Sequence, residues 1–158
     1  MTGILLALTL ALTGETAPVQ DHQHNPALNA RGKQFMGFDQ EATAHHFILT
    51  RDGGRIEVST KSAADTKSQG EIRAHLGHIA QSFTSGDFSV PALVHDQKVP
   101  GVAKMKGAGA AVTYVYEPTE RGGLIRISGS TPDAVAAIHE FLKFQIKDHG
   151  TGDATIVK

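Results

Sequence analysis

The sequence predicts an α+β two-layer sandwich, an antiparallel sheet built from a duplicated strand–strand–helix unit with its helices on one face. Three observations carry this. The strings "HHFILTRDGGRIEVST" and "AAVTYVYEPTERGGLIRISGS" each hold two β-rich runs around a turn. Each pair is followed by an amphipathic helical pattern, and the two helices end alike, in "TSGD" and "GTGD". "GGRIEVST" also aligns with "GGLIRISG", and one small indel absorbs the difference in length between the halves. Such units leave one sheet face to be covered by helices.

Taken in order, residues 1–20 begin with "MTGILLALTLALTG", an apolar run of signal-peptide length that is too short to span a bilayer. No Lys or Arg precedes it and no small-x-small site follows, yet the polar, Pro-containing continuation favours an exported chain with no integral membrane domain after processing. Residues 21–41 read as a flexible arm containing His22 and His24, residues 42–153 as a single domain, and residues 154–158 as a tail. The first hairpin is expected at 46–50 and 55–60 around Asp52-Gly53-Gly54. Ser68 and Glu71 are spaced as a capping box for a helix whose apolar stripe is Ile72, Leu76, Ile79, Ala80 and Phe83. Gly86 supplies a left-handed stop. "FSVPALVH" reads as a short extended piece, followed by a Gly/Pro-rich loop. A second hairpin follows at 112–117 and 123–128. Thr131-Pro132-Asp133 then opens the final helix, striped by Val135, Ile138, Leu142 and Ile146.

Composition narrows the function classes. With 40% hydrophobic and 20% charged residues the chain is globular, and its net charge of −1 offers no reason to expect nucleic acid or anionic lipid. The absence of cysteine removes thiolate metal sites, disulfides and a lipid-anchoring Cys. No C-x-x-C-H, H-E-x-x-H, G-x-S-x-G or phosphate loop occurs, and "GAGAA" precedes a strand and so is no dinucleotide fingerprint.

The unusual resource is imidazole, with nine histidines. His75 and His78 lie one turn apart on the first long helix, His75 at the edge of its apolar face and His78 farther round on the polar side. His45 and His46 open the first strand, where adjacent side chains point to opposite faces, so that one of them faces the helices. His95 ends an apolar run, with Met105 beyond it, and Met36 precedes the histidine pair. Imidazole with thioether and few carboxylates suits copper, with zinc held by imidazoles as the alternative. The residues thus point to a metal-binding protein, with His45, His46, His75, His78, His95, Met105 and Met36 as the ligand pool. A non-catalytic binding module with structural histidines is the alternative. A metal-dependent or histidine-based enzyme is the third reading, with Glu71 or Asp96 as its base. The sequence leaves any protein partner unknown.

The segments "MGFDQEATAHHF", "HLGHIAQSF", "VHDQKVPGV" and "HEFLKFQIKDHGTGD" resemble a family of small uncharacterised exported bacterial proteins. The resemblance runs from about Arg31 to Asp153. It implies a bacterial, periplasmic setting and supplies no activity, cofactor or catalytic residue.

Overall fold

The computed structural model describes residues 26–157. The leading apolar run, His22 and His24 lie outside the described residues. In chain order the elements are α1 (Pro26–Met36), β1 (Thr43–Thr50), β2 (Gly53–Thr60), α2 (Thr66–Thr84), α3 (Ser89–His95), α4 (Val102–Ala108), β3 (Val112–Thr119), β4 (Gly122–Gly129) and α5 (Pro132–His149).

The four strands form one antiparallel sheet in the order β1-β2-β4-β3. Each hairpin closes through two residues, with Thr50 paired to Gly53 and Thr119 to Gly122. The duplication is visible in the register. Every residue of the first hairpin has its counterpart 69 positions on, Thr43 with Val112 and Gly53 with Gly122. In the central pair Ile56 faces its own counterpart Ile125, while Gly54 faces Ile127 and Val58 faces Gly123. That register is a local two-fold axis through the middle of the sheet. The paired glycines follow from it. A Cβ on Gly53 would overlap the Ile127 carbonyl oxygen, and one on Gly122 would overlap the equivalent oxygen of Val58.

The helices repeat as well, at an offset of 66. Asp65 and Thr131 are the N-caps of α2 and α5, and each side chain accepts from the amide three residues on, at 3.1 Å from Ser68 and 3.2 Å from Ala134. The buried Ile72, Leu76 and Ala80 of α2 then correspond to Ile138, Leu142 and Ile146 of α5. Both helices pack on one face of the sheet, but crosswise. α2 covers β3 and β4 of the second hairpin, whereas α5 covers β1 and β2 of the first and reaches β4. Burying each of these Ile and Leu side chains is worth roughly 1.5–3 kcal/mol, which fixes the two-layer arrangement.

Five expectations are corrected. Ser68 is not the N-cap of α2; Asp65 is, because its carboxylate reaches the Ser68 amide, and Glu71 instead pairs with Lys67 at 3.3 Å. Part of the stretch read as an arm forms α1. Its own periodicity is weak, and it is held by packing on α3, with Arg31 Nε donating to the Val94 carbonyl at 2.7 Å. "SVPALVH" is helix α3 rather than extended. Its first turn tolerates Pro91, and Asp87 accepts the Ser89 amide at 2.8 Å. The Gly/Pro-rich loop contains α4, whose Met105 is 1% exposed. Val135, placed in the α5 stripe, is only half-buried.

Candidate functional site

The two-residue period of β1 decides the histidine pair. His45 shares its face with Phe47 and Leu49 and turns toward the helices, while His46 is exposed on the other side. His46 Nδ1 lies 3.0 Å from Asp153 Oδ1, and the second oxygen of that carboxylate accepts the Phe47 amide at 2.8 Å.

Behind His45 lies a narrow cavity of about 70 Å³ between the sheet, α2 and α5, with Met36 of α1 and Val90 and Val94 of α3 completing its wall. Most of the lining is apolar, including Phe38, Phe47, Ile56, Ile79 and Phe141. Four histidines interrupt it, namely His45 of β1, His75 of α2, His95 of α3 and His149 of α5. His149 is central among them, with its ring centre 5.7 Å from that of His45 and 5.1 Å from that of His95. Phe38 links the other side, 5.9 Å from His45 and 5.6 Å from His75.

This environment disfavours charge. Burial pushes His45 down to about 4, helped by His75, His46 and Lys61. Burial likewise takes His75 down to about 4, with His78 adding to it. His149 is held well below its ordinary value by burial, then by His45 and His95. At neutral pH these three rings are uncharged imidazoles, the form in which a histidine ligates a metal.

Their hydrogen bonding differs. His45 Nε2 is buried and has no hydrogen-bond partner among the described residues. His95 has both nitrogens engaged, Nδ1 at 2.5 Å from Asp148 Oδ2 and Nε2 at 2.8 Å from Gln145 Oε1. It is 5% exposed and, as it stands, serves as a buried strut between α3 and α5.

Of the ligand pool read from the sequence, the fold brings His45, His75, His95 and Met36 to one cavity. It puts His46 on the opposite sheet face, leaves His78 exposed on α2, and buries Met105 in the core away from the cavity lining. His149 and Gln145 were missed. Both flank the Ile138–Leu142–Ile146 stripe of α5, much as His75 flanks that of α2, and this spacing is the signal that could have found them. Among the described residues, no three His, Asp or Glu side chains are gathered as they stand to hold a metal ion. None of the described helices is long and apolar enough to cross a membrane. Comparison of the chain with family models, with curated proteins and with solved structures returned no match.

Proposed function

We propose that the protein is a periplasmic metal-binding protein whose cavity takes a soft ion, with cuprous copper the best chemical fit. The observation that carries this is the buried, unpartnered Nε2 of His45, in a cavity that also presents the uncharged His75 and His149 and the thioether-bearing Met36. A buried polar nitrogen without a partner costs about 1–3 kcal/mol, and a metal bond removes that cost. Cuprous ion accepts imidazole and thioether, and it needs fewer ligands than zinc, so it does not require three pre-gathered side chains. The apolar wall favours a singly charged ion over a doubly charged one, because desolvation rises steeply with charge. Export is supported by the apolar leading run and the family resemblance.

The test is anaerobic titration of the untagged protein with cuprous ion against a chromophoric chelator. One ion per chain is expected, and His45→Ala should lose it while staying folded. No stoichiometric uptake, or uptake that survives His45→Ala, overturns the proposal.

The cavity's apolar lining supports a second reading, a site for a small neutral molecule. Protection of the metal-free protein against unfolding by such a molecule, with no response to copper, would favour it.

A further inference from the structure

His95 belongs to the cavity by position but is barred from a ligand's role by what it touches. Asp148 holds its Nδ1 and Gln145 caps its Nε2. Whichever end of the Gln145 amide faces the ring, that nitrogen is engaged. It either donates to the amide oxygen or accepts from the amide NH2, and in both cases it has no lone pair free for a cation. The cap itself is loosely justified. Gln145 is 4% exposed and lines the cavity, and as it stands the end of its amide that faces away from His95 has no partner among the described residues. An amide that makes one buried bond at the expense of another is a side chain with a second arrangement within reach.

The ring spacing says what that second arrangement offers. Two imidazoles bound to one tetrahedral ion at nitrogen–metal distances of about 2.0–2.1 Å have ring centres about 5 Å apart. His95 and His149 are 5.1 Å apart, and His149 and His45 are 5.7 Å apart. Both spacings to His149 are close to that value, and binding requires the rings to reorient and His45 and His95 to close on one ion. Asp148 would stay on His95 Nδ1, the outer carboxylate that commonly fixes a ligating histidine.

We propose that Gln145 is a selectivity gate. Closed on His95, it leaves a cavity poor in ligands that suits a soft monovalent ion. Swung away, it frees His95 to join His149 and His45 around a divalent ion such as zinc. This rests on the reading of the cavity as a metal site and adds the residue that chooses the metal.

The test compares wild type with Gln145→Leu, which removes the cap and keeps the volume. An apolar side chain is structurally acceptable there, since Ile79 fills the equivalent position on α2, 66 residues earlier. Gln145→Met is a second variant with a more adaptable chain. Zinc and cuprous affinities are measured by chelator competition, with circular dichroism reporting the fold. The expected result is zinc affinity raised at least about tenfold with cuprous affinity unchanged, and loss of the gain when His95→Phe is added. Unchanged zinc affinity in both variants, with cuprous binding intact, overturns the gate and leaves the metal site standing. A gain that persists without His95 also overturns it. Failure of wild type and variants to bind either ion removes the metal reading, and the gate with it.

Discussion

The local two-fold axis sets two regions of one core side by side. His45 on β1 corresponds to Tyr114 on β3, His75 on α2 to Phe141 on α5, and His149 on α5 to Phe83 on α2. The His45–His149 contact at 5.7 Å is therefore the counterpart of the Phe83–Tyr114 contact at 5.6 Å. In the aromatic region Phe83 also meets Phe88 at 4.3 Å and Phe141 at 6.0 Å. The same backbone positions are thus filled once by benzene-type rings and once by imidazoles. Phenyl rings lose nothing when desolvated and pack as core. Imidazoles are smaller, carry two polar atoms each, and here border a cavity with an unpartnered nitrogen. Phe83 and Phe141 reach the same cavity, so its wall is packed by phenyl rings on one side and carries the buried imidazole nitrogens on the other.

The largest effect that would test this division is on the aromatic side. Phe83→Ala removes a buried ring from the contacts above and should cost about 3–5 kcal/mol in urea unfolding. A loss no larger than that of His149→Ala would dissolve the distinction between the regions.

Acidification acts on the imidazole side alone. In the unfolded chain the histidines titrate near 6.5, whereas folding holds His45 and His75 at about 4. Between those values the unfolded state binds more protons. Stability is therefore flat above about pH 6.5 and falls as pH drops toward 4, by roughly 3 kcal/mol at most for either ring. The equivalent Tyr114 is pushed up to about 12 by burial and contributes nothing in this window. Chemical unfolding across that range measures the slope, and a flat profile would contradict it.

A smaller effect comes from making the halves alike. His149→Phe installs the residue found at Phe83, and the metal-free protein should gain about 0.5–2 kcal/mol while copper binding weakens. Unweakened binding would exclude His149 from the site. The smallest effect belongs to the exposed His78, whose replacement by Ala should change stability by less than about 0.5 kcal/mol and copper binding not at all.

Much of the architecture was legible because it follows from period and punctuation. The strands, the two stripes, the stop at Gly86 (φ 79) and the Thr131-Pro132 start all rest on local signals. Two-residue alternation along β1 guaranteed that one of His45 and His46 faces inward, although it could not say which. Helices α1 and α3 were not legible, because they are short and are held by one another. The site was partly legible. His75 and His95 stood out as residues, but their sharing a cavity with His149 depends on α5 crossing to the first hairpin, which no local pattern encodes. Gln145 was invisible for the same reason, as its role exists only once His95 lies beside it.

Asp153 has a consequence beyond pairing with His46. In a two-residue hairpin the closing residues bond each other, so alternate residues of the outer strand aim their backbone at the free edge. Phe47 is one of these on β1, and its amide is taken by the Asp153 carboxylate. Pro118 is one on β3, and it has no N–H to offer. The two outer strands are thus blunted by different means, a carboxylate at one edge and a pyrrolidine ring at the other. A chain ending before Asp153 would keep every cavity-lining residue and lose from the core only the packing of Val157 against it. It would regain an open strand edge, and with it the capacity to extend its sheet into a neighbouring molecule.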